Sequence, residues 1–411
     1  MHRLSITLAL ILTYMVFAVL LNSVGTVILQ SIATFGVTKQ GASVLEACKD
    51  LPIAVVSFLT AAYLPRFGYR RAMMVGLAIV GVACLAMPLL DSFAMTRVLF
   101  IAIGVSFALV KVGVYSSIGL VTADRRAHAS LTNTIEGLFM VGVLGGYWLF
   151  GAFIDHDNPA DAAWIDVYYV LAAICAAALA LLAASPLDES AARDESGAAP
   201  SFLDMVALLK KPLAYVFLLS AFMYVLIEQS LGTWLPTFNR EILQLPAAMS
   251  VQIASIYAGS LALGRLGAGV VLRRLSWYPL LNLCVVGMGV LVILTLPLAA
   301  NVAHDPDVTW FNAPLAAYVL PMIGLLMAPI YPVLNSVMLS ALPPSRHAAM
   351  TGLIVIFSAL GGTTGSLLTG FVFAHVGGQR AFYVSLLPMV AILVALALFR
   401  RETERAAPLA V

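Results

Sequence analysis

Runs of about twenty apolar residues, separated by short polar clusters, recur from one end of the chain to the other. That is the length a helix needs to cross the hydrocarbon core of a bilayer. Punctuating the chain at its charge, proline and glycine clusters predicts twelve helices. They fall near residues 5–30, 41–65, 72–91, 95–121, 128–154, 164–186, 211–236, 247–272, 277–300, 313–341, 346–374 and 380–400. The first run follows Arg3, as the apolar region of a signal peptide follows its charge. It is too long for such a region and lacks an A-x-A cleavage pattern, so it is read as helix 1. One connection differs from the rest. Residues 187–210, LDESAARDESGAAPSFLDMVALLK, are small, polar and acid-rich between two runs of six helices. They read as a linker between an N-terminal bundle at 1–186 and a C-terminal bundle at 211–411.

The two runs share a glycine pattern. Gly142, Gly146 and Gly151 in helix 5 recur at a fixed offset of 219 as Gly361, Gly365 and Gly370 in helix 11. Both sets sit in small-residue faces, VGVLGGYWLFGAF and LGGTTGSLLTGF. Glycines four or five apart let helix backbones approach closely, which is how membrane helices associate without a hydrophobic drive. Glycine is common in membrane helices, but coincidence at the same rank in each half marks a repeat. PRFGYRR after helix 2 and LRRLSWY after helix 8 echo one another as well. The expected fold is an all-α membrane protein of twelve transmembrane helices in two pseudo-symmetric six-helix bundles.

Composition removes the soluble alternatives. Of 411 residues, 62% are hydrophobic and 10% charged, against about 45–50% and about 25% in soluble proteins. Mean hydropathy is +1.00. The 22 basic and 20 acidic residues cannot cover a water-soluble surface on a chain of this length. Disorder, collagen, coiled coil and a disulfide scaffold are excluded by the same figures. The net charge of +2, with no basic patch, leaves no footprint for nucleic acid. Cys48, Cys84, Cys175 and Cys284 lie in apolar stretches without a C-x-x-C or a His at ligand spacing, and read as small buried hydrophobes. His2, His128, His156, His304, His347 and His375 all lie at or outside helix ends. No Gly-rich phosphate loop, H-E-x-x-H or Ser-His-Asp arrangement is present. No catalytic residue, metal or cofactor is therefore expected, and energy must come from a gradient.

Orientation follows from the basic residues of the short loops. With the N-terminus inside, about fifteen Lys and Arg fall on the cytoplasmic side, among them Arg66, Arg70, Arg71, Arg125, Arg126, Lys210, Lys211, Arg273, Arg274, Arg400, Arg401 and Arg405. About four, Lys39, Arg97, Arg240 and Arg380, fall outside. Asp91, Asp155, Asp157, Asp161, Asp166, Asp305 and Asp307 occupy the outer loops. Both termini are expected to be cytoplasmic, in an inner membrane of bacterial type.

Two six-helix halves, a charged central loop and basic turns after helices 2 and 8 resemble the major facilitator superfamily. Its helix 2–3 signature reads roughly G-x-x-x-D-R-x-G-R-[RK]. Here Ala61, Pro65, Arg66, Phe67, Gly68, Tyr69, Arg70 and Arg71 stand in register, so the signature Gly and Asp are replaced by Ala61 and Pro65. An inter-bundle latch that uses the Asp does not carry over, while Arg66, Gly68, Arg70 and Arg71 do. Residues 224–235, YVLIEQSLGTWL, are similar to the YVGAEVSIGSWL-type run of the fucose–galactose–glucose permease branch, matching at Tyr224, Val225, Glu228, Ser230, Gly232, Trp234 and Leu235. LTNTIEGLFMVGVLGG at 131–146 matches the helix 5 run of that branch at Asn133, and MAPIYPVLN at 327–335 resembles its helix 10 run. The branch implies a monosaccharide or related small solute moved with protons. It carries an Asp in helix 1 and a Glu in helix 4 for protonation and sugar contacts. Thr26 and Lys111 stand at those positions here, so proton coupling is not carried over through them.

Ionisable groups deep in a membrane cost about 2.5–3.5 kcal/mol each on insertion scales and mark function by default. Glu46, Lys49, Asp50, Lys111, Glu136, Glu228 and Arg265 fall within helices 2, 4, 5, 7 and 8, while the interiors of helices 3, 6, 9 and 12 carry none. In the facilitator fold those four face lipid. Lys111 lies about 15 Å and Glu136 about 12 Å from the cytoplasmic ends of helices 4 and 5. They are expected to be close enough to pair, either as a structural tie or as a substrate ligand and charge relay. Glu46 and Asp50 share a helix face with Lys49 beside them. Two carboxylates in one desolvated site resist ionising together, which suits proton uptake. A solvated vestibule is the alternative reading. Glu228, Gln229 and Trp234 supply a carboxylate, an amide and an aromatic platform for sugar hydroxyls and a C–H face, unless Trp234 only packs at the interfacial belt. Arg265, in GRLGAGVVLRR, reads as structural. Asn22, Gln30, Asn133, Tyr257 and Asn335 are polar wall candidates.

These residues point to a secondary transporter moving a small polar solute by alternating access, with protons, as a monomer in the bilayer. Lys111, in place of an acid, favours a negatively charged substrate such as an acidic sugar. An exporter of amphipathic compounds or organic anions is the second reading, and a non-transporting membrane receptor the third.

Overall fold

Lipid offers no partner to a backbone N–H or C=O, so each apolar run must close its own hydrogen bonds as helix. The computed structural model describes residues 2–60, 64–122, 125–155, 157–189, 208–300, 302–303, 305, 307–340, 342 and 346–406. Ala61, His156, His304 and most of the expected linker, residues 190–207, lie outside these. Among the described residues, eleven helices are long and apolar enough to cross a membrane. In chain order the helices are α1 (His2–Asn22, resuming as Val24–Phe35), α2 (Lys39–Thr60), α3 (Tyr69–Leu90), α4 (Phe93–Val121), α5 (Arg125–Ala152), α6 (Ala162–Ala184), α7 (Pro212–Glu241), α8 (Ala247–Val271), α9 (Trp277–Leu298), α10 (Ala316–Ser340), α11 (His347–His375) and α12 (Gly378–Glu404). α2 is 22 residues long and stands outside the eleven because Glu46, Lys49 and Asp50 place three charges within its apolar stretch.

The interruption of α1 has a local cause. The Ser23 hydroxyl donates to the Leu20 carbonyl at 2.8 Å and the Asn22 amide to the Ala18 carbonyl at 2.8 Å. Side chains that bond back to their own helix compete with its ladder. The helix resumes and ends at Phe35, five residues beyond the expected end at 30.

The chain divides into two units. The first comprises Met1–Val37 and Val44–Ala199; the second comprises Thr38–Ser43 and Pro200–Val411. In the first, α1 packs on α5 and α6, and α3 packs on α4 and α6. In the second, α7 packs on α11 and α12, and α9 packs on α10 and α12. Each pairing recurs six helices on, and the repeated glycines sit in its seams. A Cβ on Gly142 would lie 2.9 Å from both the Ala18 methyl and the Met15 carbonyl of α1. Cβ atoms on Gly361 and Gly365 would collide with the Phe222 and Leu226 carbonyls of α7. Small residues permit this approach of backbones.

The exposed faces of α3, α9 and α12 are apolar: Leu85 and Leu89, Leu283 and Val290, Leu387 and Val394 all stand open. Such stripes, carrying no charge, are suited to hydrocarbon. Cys84, Cys175 and Cys284 are buried free thiols and Cys48 is half-buried.

Candidate functional site

Within the first unit, α2 carries an ionic cluster. Glu46, Lys49 and Asp50 occupy one helix face at i, i+3 and i+4. The Lys49 ammonium lies 2.6 Å from Glu46 and 3.4 Å from Asp50. All three are buried, at 0%, 5% and 9% exposure, which removes the solvated-vestibule reading. One cation thus stands between two carboxylates. The Tyr147 ring of α5 lies within electrostatic reach of Glu46 and Lys49. Beside the cluster, Gly104 of α4 meets the Lys49 carbonyl and Pro52, and a Cβ there would collide with the carbonyl and press on the proline ring. Pro52 itself has no N–H to return to the Cys48 carbonyl, so the ladder is interrupted beside the charges.

A second constellation joins α1, α4 and α5. Lys111 is exposed, not buried as expected for a residue ten from its helix end. An exposed ammonium at the middle of a spanning helix belongs in water or against a ligand, since hydrocarbon would exact a prohibitive cost. Its cation lies 5.7 Å from the centroid of the Phe107 ring, one turn earlier on α4. The expected Lys111–Glu136 ion pair is not formed. None of the ion pairs within 4.0 Å among the described residues includes Lys111, and it feels Glu136 only at longer range. The Glu136 carboxylate is instead held by hydroxyls: Tyr115 of α4 donates to it, and Tyr14 of α1 donates at 3.5 Å. Tyr14 also packs on Phe139, with centroids 4.7 Å apart, and edge-on to Tyr115 at 6.0 Å. Asn133, exposed on α5, is three residues before Glu136 and shares its face. Asn22 is half-buried with its amide nitrogen engaged by Ala18. Gln30 is buried, with 1% exposure.

In the second unit, Glu228 of α7 is half-buried and accepts from the Tyr224 hydroxyl at 3.2 Å. Tyr224 stacks on Tyr331 of α10 with centroids 5.5 Å apart, and Tyr331 shares a hydrogen bond of 3.0 Å with Ser358 of α11. Arg265 of α8 is exposed and lies within electrostatic reach of Tyr224. Tyr257 donates to the Glu228 backbone carbonyl at 3.4 Å, and the Gln229 amide oxygen accepts from Thr233 at 2.9 Å. Trp234 is neither a platform nor a belt residue. It is wholly buried, stacks on Phe373 and donates its indole N–H to the Ser366 carbonyl at 3.1 Å.

The turn before α3 is organised by the residues that persist from the helix 2–3 motif. Gly68 has φ 98, a left-handed conformation that favours glycine, and a Cβ there would meet the Glu189 carboxylate. Glu189, within the expected linker, accepts from the Arg70 backbone N–H at 2.7 Å and so caps the start of α3. The Arg70 guanidinium donates to the Leu182 carbonyl at 2.9 Å and to Ala183, closing the end of α6. Arg66 and Arg71 are exposed.

The residues that pattern alone missed are Tyr14, Tyr115, Tyr331 and Glu189. Tyr115 carried a usable signal: it is four residues from Lys111 and shares its face. Tyr14 and Tyr331 come from other helices and had none.

Comparison with known proteins completes the picture. A family model described as Major Facilitator Superfamily matches residues 6–366. "MFS transporter asaE" of Aspergillus flavus is 28% identical over 190 residues, 44% of this chain. The chain spans only 39% of that curated relative. Among solved structures, the nucleoside transporter NupG superposes with a TM-score of 0.72 at 15% identity, covering 98% of each chain. The major facilitator transporter FucP, in the outward conformation, superposes with a TM-score of 0.64 at 14% identity, covering 98% of this chain and 99% of its own. At such identities the likeness establishes the fold.

Proposed function

The chain belongs to the Major Facilitator Superfamily and is a multi-pass membrane transporter, not an enzyme; we propose that it moves a small, negatively charged polar solute, an acidic sugar or a related sugar acid. Lys111 carries this reading. Its ammonium is exposed at mid-helix and has no carboxylate within 4.0 Å among the described residues, and a cation at that depth requires a counter-charge. A substrate anion supplies it. Asn133 and Glu136, on the adjoining face of α5, offer an amide and a carboxylate to substrate hydroxyls.

Transport is by alternating access in an inner membrane of bacterial type, with both termini cytoplasmic and the protein a monomer. It is coupled to protons. The Glu46–Lys49–Asp50 cluster supports this: two carboxylates share one ammonium in a buried site, an arrangement suited to proton uptake. Glu228 and Tyr224 give the second unit a matching polar pair.

Export of organic anions is the second reading, favoured by the rings of Tyr14, Phe107 and Phe139 near Lys111, which suit an apolar body behind the anion. Direction separates the two. In right-side-out vesicles with an inward proton gradient, labelled hexuronate and aldonate are expected to accumulate and labelled neutral hexose to lag. Failure of every sugar acid and sugar to accumulate would overturn the uptake reading. Gradient-driven loss of a preloaded aromatic carboxylate would establish the exporter.

A further inference from the structure

Lys111 and Glu136 carry opposite charges on adjacent helices of one unit and attract each other at longer range, yet they are not in contact. Opposite charges so placed attract each other, and bonds made by one partner elsewhere keep them apart. The restraint is visible at the carboxylate. Tyr115 projects from α4 one turn beyond Lys111, and its hydroxyl donates to Glu136; Tyr14 donates to the same oxygen from α1. Tyr14 is buried, with 3% exposure, and fixed by ring contacts to Phe107, Tyr115 and Phe139, so it cannot follow the carboxylate if that moves.

We infer that Tyr115 and Tyr14 are specificity-determining positioning residues, which tether Glu136 away from Lys111 and keep the ammonium open to an anion from solution. The tether also bears on the ligand. Lys111 and Tyr115 are one turn apart on one face of α4, so the cation and the hydroxyl that holds the carboxylate rise from the same face. A ligand that satisfies both Lys111 and Glu136 carries an anionic group and a hydroxyl donor. Hydroxy acids and sugar acids fit. A simple monocarboxylate satisfies only Lys111. The inference rests on the reading of Lys111 as the substrate contact, and deepens it.

The test uses the amine of Lys111 in full-length protein in membrane vesicles, labelled with trinitrobenzenesulfonate and read by mass spectrometry. An ammonium held by a carboxylate stays protonated and unreactive. Lys111 is expected to label in the wild type, Lys210 and Lys211 serving as standards and Lys49, enclosed in its cluster, remaining unmodified. Tyr115→Phe releases Glu136 onto Lys111 and lowers its labelling about fivefold, the ratio for a pairing energy of about 1 kcal/mol. The double variant Tyr115→Phe/Glu136→Gln restores wild-type labelling, which a merely structural role for Tyr115 would not do. Should Tyr115→Phe fail to reach the membrane, Tyr14→Phe, which removes the longer bond, gives the same direction. Unchanged labelling in the tyrosine variants, or no recovery in the double variant, overturns the tether. Failure of the substrate reading is a separate outcome: Lys111→Gln would then transport hexuronate as the wild type does, whatever the labelling shows.

Discussion

Lys111 and Lys49 are both lysines on membrane-spanning helices, and their surroundings set them different tasks. Lys49 is enclosed between Glu46 and Asp50. Removing it leaves two carboxylates confronting one another, and breaking a buried pair costs about 3–5 kcal/mol. Lys49→Met is therefore expected to lower the thermal midpoint of the purified protein sharply. The triple variant Lys49→Met/Glu46→Gln/Asp50→Asn is expected to recover stability while losing the response to a pH gradient. Recovery of stability with gradient-driven uptake intact would remove the cluster from coupling. Trp234→Phe supplies a contrast: loss of the bond to Ser366 should reduce stability by about 0.5–1.5 kcal/mol and leave solute affinity unchanged. At this scale the sequence was informative about charge and poor about aromatics. Charges are costly in lipid, so their mere presence in helices 2, 4, 5, 7 and 8 was a signal. Trp and Tyr are common in membrane helices whether they pack or bind. Trp234 was therefore misassigned, and Tyr115 and Tyr14 were overlooked.

The helices themselves were legible, because the length of a span is fixed by bilayer thickness. Most expected boundaries lie within a few residues of those observed. The discrepancies have causes. α2 ends at Thr60, short of the expected 65, and the chain re-enters helix at Leu64–Phe67 before the Gly68 turn. α7 runs on to Glu241 because Pro236 falls in the first turn of a helical continuation, where a missing N–H costs nothing. The glycine repeat predicted close seams without saying which helices met, and the partners are α1 for α5 and α7 for α11. These seams yield a test. Gly365→Val inserts a side chain against the Leu226 carbonyl and Gly142→Val one against Met15. Each is expected to lose about 1–3 kcal/mol to overpacking, read as a lower thermal midpoint. Gly145→Val, with nothing within 4 Å of its Cβ position, should be tolerated.

For the whole molecule, the scarcity of charge that placed the chain in lipid also organises its function. Each six-helix run keeps Asp, Glu, Lys and Arg out of the interiors of α3, α6, α9 and α12, and the exposed apolar stripes of α3, α9 and α12 are suited to the bilayer. The glycine offset and the central polar segment read as duplication of one six-helix plan, and the helix pairings of the first unit recur in the second. The substrate was not legible, since under the proposed reading it depends on how Lys111, Glu136 and two tyrosines from different helices meet. The central claim is that Lys111 receives the anion of a solute driven by a proton gradient. It is tested most directly by the accumulation ratio of labelled hexuronate in right-side-out vesicles, wild type against Lys111→Gln at equal membrane abundance. The expected result is accumulation in the wild type that an uncoupler abolishes, and a loss of at least about tenfold in the variant, as removal of one charge-assisted contact entails. Equal accumulation by the two proteins, or accumulation indifferent to the uncoupler, would contradict it.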